Sequence, residues 1–160
     1  MITISVPYGD SAVTCEIPGE RLKGVLYSQA YDYKAKVCEH DLVCEALNAP
    51  INSPSLRDLA KGKNRVAVIT SDHTRPVPSR ITMPLLLEEI RVGNPSADIA
   101  ILVATGMHRI MTQGEIADRF GPKISSSEKI FVHDCHDESN LISLGTLPSG
   151  GELILNRRAV

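Results

Sequence analysis

The chain has 160 residues, a formal net charge of −2 and 4% aromatic residues, enough length and apolar content for one compact domain with a real core. Near-neutral charge without a Lys/Arg cluster gives nucleic acid and acidic membranes no electrostatic hold, and aromatic stacking platforms are scarce. Cys15, Cys38, Cys44 and Cys135 form no C-x-x-C pair, and "MITISVPYGD" has neither a basic n-region nor a long apolar run, so we expect a reduced, cytoplasmic, soluble protein.

"ITISVPYGDSAVTCEIP" alternates apolar and polar residues on both sides of "YGD", which predicts a β-ribbon over 1–20 with its turn at Gly9-Asp10. From Leu22 to Ala49 the pattern is weak, apart from helical spacing in "HDLVCEALN". "SPSLRDLAKG" predicts a short helix with Ser53 as N-cap, Pro54 at the first helical position and Gly62 closing it.

Strands and helices then alternate over 63–160. "RVAVIT" (Arg65 to Thr70) is a nearly continuous β-branched run, as expected of a parallel strand covered on both faces. "SRITMPLLLEEIR" predicts a helix from Ser79 to Arg91, with Pro84 either kinking it or marking a later start. "DIAILVA" (Asp98 to Ala104) is a second buried strand. Thr112 and Glu115 form a T-x-x-E capping box for the next helix, which Gly121-Pro122 stop. "KIFVHD" makes a third strand, and "LISLGTLPSGGELILN" a hairpin around Gly150-Gly151. The sum is an α/β fold: a three-layer, Rossmann-like, mostly parallel sheet with an N-terminal β-hairpin. "GELILNRRAV" stops in an apolar strand-like run, and we expect the chain to be a piece of something longer.

Two polar loops follow the first two parallel strands. Strand-helix-strand units cross over right-handed, so "SDHTRPVP" (71–78) and "TGMHRIM" (105–111) share one edge of the sheet, where open α/β sheets bind ligands. Asp72, Thr74 and Arg75 then come near His108 and Arg109. Arg75 carries a donor fork suited to a carboxylate or phosphate, and His108 exchanges a proton near neutral pH. Gly106 lets backbone approach a ligand, and Asp72 can orient a cation, a hydroxyl or Arg75. Helix capping by Asp72 and Thr74 explains one such loop by itself; two loops on one rim favour a small anionic substrate undergoing proton transfer.

"HDCHD" (133–137) invites a metal reading. On a strand, however, His133, Cys135 and Asp137 part company with Asp134 and His136, and no second ligand pair exists elsewhere. We therefore assign no metal site. His40 reads as a surface residue.

"SDHTRPVPS", followed after one βα unit by "ILVATGMHRIMTQGEI", resembles the N-terminal domain of the lactate racemase family, enzymes that use the nickel-pincer nucleotide. "HDCHDESNLISLGTLPSGGELILNR" is similar to a later stretch of that family, and the likeness is best from about Ser53 onward. The resemblance implies the N-terminal catalytic half of a two-domain 2-hydroxyacid racemase or epimerase. It implies His108 as general acid/base on the 2-hydroxyl and Arg75 as the arginine that binds and polarises the substrate. Asp72, Thr74 and Gly106 would line the cofactor, and the hydride from C2 would move to the cofactor's pyridinium ring. The family has threonine and proline where this chain has Met107 and Ile110, which argues against assuming lactate. The second catalytic histidine, the cofactor-anchoring lysine, the nickel-binding histidine and a second substrate lysine lie beyond residue 160 in the family. The chain alone is then expected to be inactive and to hold no nickel, its partners being a hydroxy acid and the rest of its own chain. The contrasting possibility is a non-catalytic module binding a nucleotide phosphate or small anion, though neither G-x-G-x-x-G nor a P-loop is present.

Overall fold

Alternating residues give β1 (Ile2–Tyr8) and β2 (Ser11–Ile17) in the computed structural model, which describes residues 1–160. They pair antiparallel with Tyr8 opposite Ser11, leaving Gly9-Asp10 as the expected two-residue turn. Contacts gather the chain into two units, Met1–Lys36 and Val37–Val160, so the boundary falls inside the single domain that the length suggested. The first unit holds the hairpin and two single 3-10 turns, Gly19–Arg21 and Gln29–Tyr31.

The second unit begins with α1 (Glu39–Asn48) and α2 (Leu56–Ala60). The N-cap of α2 is Ser55, two residues later than expected: its hydroxyl accepts from the Asp58 amide at 3.2 Å. Ser53 cannot serve, because its hydroxyl is turned to the Pro54 carbonyl. Next come β3 (Arg65–Ser71), α3 (Ser79–Gly93), β4 (Asp98–Ala104), α4 (Gln113–Phe120), α5 (Pro122–Ser127) and β5 (Lys129–Val132). Pro84 sits within α3 on its solvent face, where the Arg80 carbonyl it leaves unbonded is least costly. Thr112 and Glu115 form the capping box of α4 as expected, and Pro122 both ends that helix and begins α5. β6 (Leu141–Thr146) and β7 (Glu152–Asn156) close the chain as the expected hairpin.

Strands β3, β4 and β5 form one parallel sheet in that order. Ile99, Ile101 and Val103 of β4 turn one face toward Met83, Leu87 and Ile90 of α3 and Ile116 and Phe120 of α4, all at most 5% exposed. The spacing of those helical residues is one stripe of a 3.6-residue helix, and each fully buried side chain contributes about 1.5–3 kcal/mol. On the opposite face Leu102 of the central strand is buried, yet Ile69 of β3 is 57% exposed. The expectation of two covered faces thus holds for β4 and not for β3, which is an edge strand.

α2 and α3 approach closely at Gly93. A Cβ added there would lie 2.0 Å from the Arg57 carbonyl oxygen, so only glycine lets the end of α3 pass. Arg57 then pairs with Glu89 one turn earlier, at 2.6 and 2.8 Å.

Candidate active site

The register of β3 on β4 ends with Ser71 opposite Ala104, so the two polar loops leave the sheet side by side. Thr105 is 3% exposed and donates to the His133 carbonyl at 2.6 Å, tying the end of β4 to that of β5. The chain then turns sharply, with His108 N–H donating to the Thr105 carbonyl and Gly106 at φ +60°. Such a φ costs glycine little and other residues much. The first loop turns likewise, Arg75 N–H donating to the Asp72 carbonyl.

These turns bring Asp72 to His108. His108 Nδ1 lies 2.6 Å from Asp72 Oδ2, with the Asp72 side chain 2% exposed and the imidazole 43% exposed. Asp72 Oδ1 accepts from the Thr74 hydroxyl at 2.6 Å and from the Thr74 amide at 3.1 Å. The Thr74 hydroxyl, followed by the His108 bond, holds the Asp72 carboxyl at about 2 against burial, which raises it. An ionised carboxylate on Nδ1 fixes the tautomer with its proton on that nitrogen, leaving the Nε2 lone pair free to take a proton.

Of the residues singled out from the sequence, Asp72, Thr74 and His108 come together directly, and Gly106 shapes the same turn. Both Asp72 oxygens are taken by protein donors, which makes this residue the orienter of His108. Arg75 is exposed on the first loop and its guanidinium makes no ion pair. Arg109 does not join them: it forms a two-pronged pair with Glu115 at 2.6 and 2.9 Å. "HDCHD" is not strand beyond Val132 but a turn, in which Asp134 accepts from the His136 amide and His133 faces Asn156.

Two residues were missed. Glu115, read only as half of a capping box, also accepts from both terminal nitrogens of Arg109, at 2.6 and 2.9 Å, and so pins the loop carrying His108. Its carboxyl is held far below the usual range, chiefly by Arg109. Arg119, one turn on, donates to the Arg75 carbonyl at 3.2 Å and the Ser71 hydroxyl at 3.0 Å, bracing the other loop. The i, i+4 spacing on a helix below that rim was the available signal.

The sheet thus sets a carboxylate-held histidine and an arginine without an ion pair on neighbouring strand ends, at the edge where open α/β sheets bind ligands. The model of the lactate racemase N-terminal domain matches residues 8–160, and this chain belongs to that family. It is 49% identical over its whole length to a lactate racemase of Thermoanaerobacterium thermosaccharolyticum and 43% identical over 99% of its length to one of Lactiplantibacillus plantarum. It spans 38% of the length of each of these curated relatives. The solved apoprotein of the Thermoanaerobacterium lactate racemase superposes with a TM-score of 0.85 at 47% identity, over 99% of this chain and 36% of that one. No helix is long and apolar enough to cross a membrane.

Proposed function

We propose that this chain is the N-terminal catalytic half of a 2-hydroxyacid racemase or epimerase that works in the reducing cytoplasm, in keeping with four free cysteines. The observation that carries the reading is the Asp72–His108 pair at 2.6 Å on the ligand-binding rim of the sheet. His108 takes the proton of the substrate 2-hydroxyl at Nε2 and returns it, while Asp72 holds the ring in one tautomer and favours the imidazolium once formed. Arg75, with its fork of donors unengaged, binds the substrate carboxylate and polarises the oxygen at C2.

The family's nickel-pincer nucleotide fits this rim from one side. At Gly106 no heavy atom lies within 4 Å of an added Cβ, so open space adjoins the backbone beside His108. Gly106 and Thr74 would meet the organic part of that group. When bound, the group supplies the acceptor for the hydride at C2. Met107 and Ile110 are 79% and 51% exposed beside His108 and offer apolar contact to a substrate side chain.

The test is a chiral assay of the parent enzyme, loaded with cofactor and given single enantiomers of 2-hydroxy acids. Inversion at C2, lost in His108→Ala, is expected; a parent that inverts no 2-hydroxy acid refutes the proposal.

A further inference from the structure

Three buried polar side-chain atoms in this chain have no hydrogen-bond partner: His73 Nδ1, Ser79 Oγ and Arg119 Nε. All three belong to residues lining one open cleft of about 420 Å³ between the start of α3 and α4. Unpaired buried polar groups are rare and each costs stability, so three at one place call for an explanation.

The chemistry of the cleft is specific. Ser79 is 2% exposed and begins the 15-residue helix α3, whose N-cap, Pro78, supplies no side-chain acceptor to the first turn. The Ser79 and Ile81 amides donate instead to the Val77 and Pro78 carbonyls at 2.8 and 3.0 Å, which leaves the Arg80 amide as the one N–H of the first turn without an acceptor. Arg80 also lines the cleft, is exposed and has no carboxylate partner. Arg119 lines it too, its Nε buried and unpaired while its other two nitrogens hold Arg75 and Ser71. Two acidic residues line the cleft as well: Glu115, already matched by Arg109 and 3.8 Å from His73 Nε2, and Asp118, which is exposed and in no ion pair.

We propose that this cleft binds a small oxyanion, carboxylate or phosphate, at a site distinct from the His108 side of the loop. Ser79 Oγ and Arg119 Nε donate to it, and Arg80 supplies the charge together with its unengaged backbone amide. Because the same Arg119 guanidinium grips the Arg75 carbonyl, occupancy stiffens the segment 71–75. A small anion in solution would thus tune the loop that carries Asp72 and Arg75 without entering the reaction.

The test uses the 160-residue chain with inorganic phosphate, sulfate and lactate as separate probes, read by thermal unfolding and amide NMR at constant ionic strength. Expected are a saturable rise in Tm and shifts of the amides of His73, Ser79 and Arg80. Phosphate acting without lactate would select phosphate as the ligand class, and the reverse a carboxylate. Ser79→Ala removes an unpaired buried hydroxyl, so it should raise the Tm of the free chain while losing most of the anion-induced increment. Arg80→Ala should lower the affinity at least tenfold, and His108→Ala should leave it unchanged. Absence of saturable binding by all three anions, binding that survives Arg80→Ala, or binding lost in His108→Ala would each overturn the assignment, the last by placing the anion at the His108 side.

Discussion

Asp72 Oδ2 and His108 Nδ1 lie 2.6 Å apart across 36 residues of sequence, and the carboxylate is buried while the imidazole reaches solvent. Burial on one side and exposure on the other make the pair directional: the proton that can leave or arrive is at Nε2.

That geometry predicts an acid-sensitive contribution to stability. Asp72 titrates at about 2 when folded and at about 3.9 in an unfolded chain. Between those values the unfolded state binds more protons, so stability from this group is present in full above about pH 4 and is lost as pH falls toward 2. Asp72→Asn should flatten this part of the unfolding profile. Superimposable acid limbs in urea titrations of the two proteins would count against the bond.

In the parent enzyme, His108→Ala should slow turnover by about 10²–10⁴-fold, the usual range for one acid/base group. Arg75→Lys should also be costly, because an ammonium gives a point charge where a carboxylate wants a planar fork. Circular dichroism must stay native in both, since neither side chain is part of the core. Near-normal rates would leave the Asp72–His108 pair as a brace between the two loops and no more.

The α4 contacts predict different costs for two neighbouring acids. Glu115→Ala removes the Arg109 pair and half of the capping box at once and should lower Tm clearly. Asp118→Ala removes no hydrogen bond and should change Tm little. Equal melting curves for the two variants would show that the Glu115 contacts are idle in solution.

Gly93→Ala forces a methyl into the Arg57 carbonyl. Overpacking of this kind costs about 1–3 kcal/mol. The loss should appear in the urea midpoint with the slope unchanged; an unaltered midpoint would mean that α2 yields freely.

The sequence carried the order of elements because the periods are strong: β-branched runs for β3 and β4, a capping box for α4, a two-residue turn in the first hairpin. It placed Asp72 and His108 together for a topological reason, since right-handed crossovers put both loops on one rim. What it could not carry was which partner each charge would choose. Arg109 is adjacent to His108 and looked like a site residue, yet the closer claim is that of Glu115 six residues on. Arg119 is an ordinary helix arginine until the fold brings Ser71 and the Arg75 carbonyl within reach. The Ser53/Ser55 choice was likewise beyond pattern, because both serines flank Pro54 and only the turn geometry decides between them.

The unbroken pairing of β3 with β4, from Arg65 opposite Asp98 to Ser71 opposite Ala104, makes the spacing of the two loop stems a quantised quantity. Sliding one strand by a residue would move its stem about 3.3 Å and turn its side chains to the other face. Ala100 and Leu102 would then replace Ile101 and Val103 against α3 and α4, a misfit the core does not tolerate. Hydrocarbon packing therefore acts as a detent on the chemistry above it: the distance between Asp72 and His108 can be trimmed by a rotamer or a turn, but not by gradual drift of the strands. Descendants of this scaffold can exchange the contents of either loop while inheriting the same gap between their roots.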